Sequence, residues 1–114
     1  MTLKNCSKIT ITVPSTNYES EISFVEFSAR VNEVEKYLIN EFGGVTSIEH
    51  GHGKWLDADG NLIPENIALT SIKLDGVLED SIALETKVLQ WKQDWNQYCI
   101  LLEVSDTTAV LVGA

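Results

Sequence analysis

The sequence predicts an α+β fold in which one antiparallel sheet carries two helices on a single face. Three observations lead there. Lys8 to Val13 alternates apolar and polar residues with the period of a strand. Phe24 to Phe42 repeats its apolar residues every three or four positions, the period of a helix. A second helix-forming stretch, Leu78 to about Asn96, runs directly into the near-continuous apolar segment Tyr98 to Val104.

Lys8-Ile9-Thr10-Ile11-Thr12-Val13 is a half-buried strand, and Pro14-Ser15-Thr16-Asn17 ends it. From about Ser23, the residues Phe24, Phe27, Val31, Val34, Leu38 and Phe42 form an amphipathic stripe, which Gly43-Gly44 terminates. Val45 to Glu49 alternates again as a short strand. Asp57 to Asn61 is a turn centred on Asp59-Gly60, and Ile67 to Leu74 is the next strand. In the second helix, Leu78, Ile82, Glu85, Leu89 and Trp95 share one side, with Val88, Trp91 and Lys92 beside them. If Leu89 and Trp95 turn inward, Trp91 is the flank and a candidate interface residue; core packing of the Trp91, Trp95 and Tyr98 cluster is the default expectation. Tyr98 to Val104 reads as a central strand, Ser105-Asp106-Thr107 as a turn, and Thr108 to Val112 as a last short strand. The order β-α-β-β-α-β-β is most economically the ferredoxin-like arrangement with a C-terminal edge strand added.

A chain of 114 residues suits one domain over 1–114 with a single modest core. Its 17 acidic and 8 basic residues give a formal net charge of −9, and no Lys/Arg cluster offers a phosphate backbone a basic face. Nucleic acid is therefore not an expected partner, whereas a small cationic ligand is compatible. No apolar run approaches the ~18 residues of a membrane span, and Met1 to Ser7 lacks the apolar core of a leader. Cys6 and Cys99 have no metal-type spacing, and Cys99, within an apolar run, is expected to be a buried small hydrophobe. A cytoplasmic, reducing location follows from this usage.

The segment Gly44 to Trp55 concentrates the polar and aromatic character of the chain. His50 and His52 flank Gly51 in a Gly-punctuated connection, with Glu49 beside them. Imidazoles with a carboxylate suit a divalent metal, but a third ligand would have to come from Asp57, Asp59 or Glu65 across an unfixed geometry, and surface histidines in a turn are the simpler reading. No metal or cofactor is expected. Asp57-x-Asp59-Gly60-Asn61 places its Gly too early for a calcium loop. Trp55 either presents its π face to a cationic ligand or covers one end of the core. Glu65, after Pro64 at a strand entrance, lies over a cleft or is simply solvated. Glu103 interrupts an apolar run and shares a strand face with Leu101 and Cys99; it faces solvent, a subunit interface or a ligand. No serine elbow and no phosphate-binding Gly loop is present.

The run Trp95-Asn96-Gln97-Tyr98-Cys99-Ile100-Leu101-Leu102-Glu103, with Ser105, Thr107, Ala109 and Leu111-Val112 after it, resembles the matching part of phage S-adenosylmethionine lyases, formerly called S-adenosylmethionine hydrolases. Ser47-Ile48-Glu49 after a Gly, a Gly before Trp55, and Pro64-Glu65 opening a strand are similar in outline, with Trp55 where a Tyr is expected. The Gly-x-Trp-x4-Gly-x4-Glu spacing of Gly53, Trp55, Gly60 and Glu65 also resembles small uncharacterised phage and bacterial proteins. The lyase resemblance implies a ferredoxin-like subunit in a homotrimer with active sites between subunits. It further implies that the substrate carboxylate displaces the sulfonium, giving methylthioadenosine and homoserine lactone without a cofactor. On that reading Glu65 positions the substrate ammonium, Glu103 acts as a second carboxylate across the interface, and Trp55 stacks on adenine or the sulfonium, with His50 and His52 near the substrate. The alternative is a non-catalytic nucleotide-type binder or interaction module of the same fold, such as a phage anti-defence protein, with Trp55, Trp91 and the histidine segment forming its surface.

Overall fold

A computed structural model describes residues 3–17, 20–45, 47–56, 59–60, 62–110 and 112–113, giving the backbone alone over 47–56 and 62–68. The elements follow the order β1 (Lys4–Pro14), β2 (Thr16–Asn17), β3 (Ser20–Glu21), α1 (Phe24–Phe42), β4 (Ser47–Leu56), β5 (Leu62–Lys73), α2 (Ile82–Asp94) and β6 (Leu102–Ala109). Four strands make one sheet in the order β4-β5-β1-β6, every neighbour antiparallel. The N-terminal strand β1 is thus interior to the sheet, flanked by the strands that precede and follow α2, as the ferredoxin-like plan requires.

Alternation on β1 sets the two faces of the sheet. Ile9, Ile11 and Val13 are fully buried beneath the helices with Leu69 of β5, while Lys8, Thr10 and Thr12 take the other side. Helix α1 contributes Val34 and Leu38 to this core, and α2 contributes Leu84, Val88, Trp91 and Trp95. Ser23 caps α1, its hydroxyl accepting from the Glu26 amide at 3.1 Å. Gly43 ends the helix at φ 89°, donating its amide to the Ile39 carbonyl.

Several boundaries differ from the sequence reading, each for a physical reason. In α2 the buried stripe is Leu84, Val88, Trp91 and Trp95, whereas Leu89 is 58% exposed. Trp91 is therefore in the core, as the default reading expects, and Leu89 takes the exposed side. Its indole nitrogen donates to Glu33 at 3.1 Å, its ring meets Tyr37 edge-on, and it stacks on Trp95 with centroids 5.5 Å apart. The run at 98–101 is an approach segment outside the sheet, so Cys99 is exposed and Cys6, on β1, is the buried cysteine. β6 then passes through 105–107 without a turn, its register holding from Ile11↔Leu102 to Lys4↔Ala109. Thr108 and Ala109 complete this strand, which is itself an edge of the sheet and not its centre. After Pro14 the chain makes the small β2–β3 hairpin, which no sequence signal announced.

The hairpin is tied down by a buried arginine. Arg30 of α1, 7% exposed, donates from Nη1 to the carbonyls of Pro14 at 2.8 Å and Thr16 at 2.7 Å, and its guanidinium lies over the Trp95 ring at 5.3 Å. Gln97 Nε2 donates to the same Thr16 carbonyl at 2.6 Å and to the Trp95 carbonyl at 2.7 Å. Burial pulls the Arg30 pKa down, partly offset by Glu26. No helix among the described residues is long and apolar enough to cross a membrane.

Candidate functional site

Four of the five candidate residues lie on one hairpin. His50, His52 and Trp55 belong to β4 and Glu65 to β5; their backbones are described and their side chains lie outside the described set. The segment read as a Gly-punctuated connection is therefore a strand, because the β4 ladder resumes past it: His50 stands in register with Ile67, then Gly53 with Glu65 and Trp55 with Ile63. Between His50 and Gly53, two residues of β4 oppose one of β5, which is the count of a β-bulge. β1 shifts register at the same level, between Val13 and Pro14, with Pro14 opposite Glu65. Glu65 thus sits where the pairings of β5 to both its neighbours shift register.

Glu103 stands elsewhere. It is exposed on β6, on the face without helices, and is in register with Thr10 of β1. Ser47, Thr70, Thr10 and Glu103 form one row across all four strands. Within that row the Thr10 and Thr70 hydroxyls bond each other at 2.9 Å. This Thr ladder was not singled out from the sequence; the hydroxyls alternating with Ile9, Ile11 and Val13 are its signal. Of the readings open for Glu103, the exposed sheet face is the observed one within this chain.

Register also sets a distance between the two acidic candidates. On β1, their partners Pro14 and Thr10 are four residues apart, about 13 Å along a strand, and Glu65 and Glu103 lie on opposite neighbours of β1, about 10 Å apart across it. Their backbones are therefore roughly 16 Å apart in one chain.

The Lys73 ammonium bonds Asp75 Oδ1 and holds its carboxyl below the usual range. Burial, with Glu41 nearby, raises the Tyr37 phenol above its free value. Among the described residues no three His, Cys, Asp or Glu side chains gather closely enough to hold a metal ion.

No protein-family model and no curated protein sequence matches the chain. Two solved structures share its fold. One is a phage SAM lyase in complex with S-methyl-5'-thioadenosine, with TM-score 0.54 and 13% identity, covering 96% of this chain and 92% of the other. The second is a phage SAM lyase in the apo state, with TM-score 0.52 and 13% identity, covering 98% and 93%. The likeness spans nearly the whole of each chain.

Proposed function

We propose that this protein cleaves S-adenosylmethionine as a lyase. The observation that carries the proposal is the end-to-end likeness of its fold to the phage SAM lyases, one of them holding S-methyl-5'-thioadenosine. The substrate carboxylate oxygen attacks its own Cγ, the Cγ–sulfonium bond breaks, and its electron pair stays on sulfur. The products are neutral methylthioadenosine and homoserine lactone, with no water, metal or cofactor consumed. Such a reaction needs the substrate folded into an attack geometry more than it needs acid–base groups.

In this reading Glu65 holds the ammonium end, Trp55 stacks on adenine or the sulfonium, and His50 and His52 line the same hairpin. Glu103 of a second subunit completes the charge, in a homo-oligomer whose trimeric form comes from the resemblance alone. The excess of acid, −9 overall, suits a substrate whose sulfonium and ammonium charges outweigh its single carboxylate. A second reading, a binder of adenosyl compounds without turnover, is favoured by Trp55 in place of a hydroxyl-bearing Tyr.

Incubation with S-adenosylmethionine followed by chromatography separates these readings. Methylthioadenosine with homoserine lactone, lost in Glu65→Gln while the fold persists, is the expected result. A thermal shift without product selects the binder. Neither product nor shift refutes both.

A further inference from the structure

On the helix side of the sheet, a trough runs between α2 and β6. Two depressions of about 380 and 550 Å³ share Glu85 and Leu102 and merge into it, with Leu78, Leu89, Ile100 and Val104 along the walls. The trough exists because α2 has two apolar stripes and buries one. Leu84, Val88 and Trp91 go inward, leaving Ile82 and Leu89 exposed, and Val104 on the strand side is 42% exposed. The charged residues lining the trough, Asp80 and Glu85, are both acidic.

The trough lies along an open strand. β6 pairs with β1 alone among the described residues. The Thr12 amide donates to the Leu101 carbonyl at 3.1 Å, which makes the opposed residues Thr12 and Leu101 a hydrogen-bonded pair. By alternation, Glu103, Ser105 and Thr107 bond β1, while the amides and carbonyls of Leu102, Val104, Asp106 and Thr108 point away from it. A strand laid there would find backbone partners at every second residue and the trough beneath its alternate side chains.

We infer that this edge receives an extended segment of a partner protein whose trough-facing residues read apolar–basic–apolar, in the manner of Val-x-Lys-x-Val. The apolar residues cover Leu102 and Val104 at one end and Leu89 at the other, and the basic residue meets Glu85, which both depressions share. Charge selects this occupant over a second copy of the chain. The trough-side residues of β6 read Leu102, Val104, Asp106, so a copy would bring another carboxylate to Asp80 and Glu85.

The test uses two capped heptapeptides, Thr-Val-Thr-Lys-Thr-Val-Thr and its counterpart with Glu for Lys, and hydrogen exchange resolved by residue. The Lys peptide is expected to slow exchange at the Val104 and Asp106 amides and to bind about fivefold or more tightly than the Glu peptide. Glu85→Lys, an exposed change on α2, should invert that preference. Asp106→Pro, which removes an outward amide and no β1 bond, should abolish binding of both. No protection on β6, equal affinity for the two peptides, or the same preference after Glu85→Lys overturns the inference. So does protection of the Val104 and Asp106 amides before any peptide is added.

Discussion

Arg30 and Gln97 share one acceptor, and that sharing has a thermodynamic signature. Arg30→Met leaves the Pro14 carbonyl without its donor, at about 1–3 kcal/mol, and removes the contact with the Trp95 ring, at about 1 kcal/mol. Relief of the buried charge offsets part of this, so the net loss should be about 2–3 kcal/mol. The Thr16 carbonyl survives that change because Gln97 still reaches it at 2.6 Å. Gln97→Leu is milder, about 1 kcal/mol, since Arg30 still holds Thr16 at 2.7 Å. Only the double variant strips Thr16 of both donors, and its loss should exceed the sum of the single losses by about 1–2 kcal/mol. Urea unfolding followed by Trp fluorescence measures this, provided the denaturant slope is common to the four proteins. Additivity within about 0.5 kcal/mol would refute the shared-acceptor account.

Further outcomes follow from single features of the fold. Trp91→Ala should cost about 3–5 kcal/mol and Leu89→Ala under about 1 kcal/mol; thermal or urea unfolding that reverses this order would contradict the assigned burial. Ser23→Ala should cost about 1 kcal/mol through the lost cap, measured the same way, with Ser23→Asp restoring it. Tyr37 should ionise above its free value of 10.0 in an ultraviolet titration that Tyr37→Phe simplifies. Because the fold favours its protonated form, this contribution to stability is complete below that pH and declines as pH rises through the raised pKa.

Much of the architecture was legible because it is written in single periodicities. The stripe from Phe24 to Phe42 returned α1 with its Ser23 and Gly43 boundaries, and the Thr-Ile alternation returned the faces of β1. Helix α2 was harder, since Ile82-Glu85-Leu89 and Leu84-Val88-Trp91-Trp95 are both helical stripes. The choice between them rests on a partner distant in sequence, Glu33, which accepts from the Trp91 indole. Arg30 hides in a similar way: its acceptors are carbonyls, which carry no side-chain signal. At the candidate site, residue types were readable but placement was not. A bulge between His50 and Gly53 sets the level of Glu65, and register alone separates it from Glu103.

The two borders of the sheet differ in a way that bears on how the protein could misassemble. β4 is interrupted by its bulge after His50, so no foreign strand can run along it in unbroken register. β6 keeps regular pairing with β1 over its whole length. Fibrous stacking of sheets requires two competent borders, one to receive and one to offer. With one border closed, strand capture ends after a single addition, so the sheet is protected from runaway polymerisation while one side stays open for use.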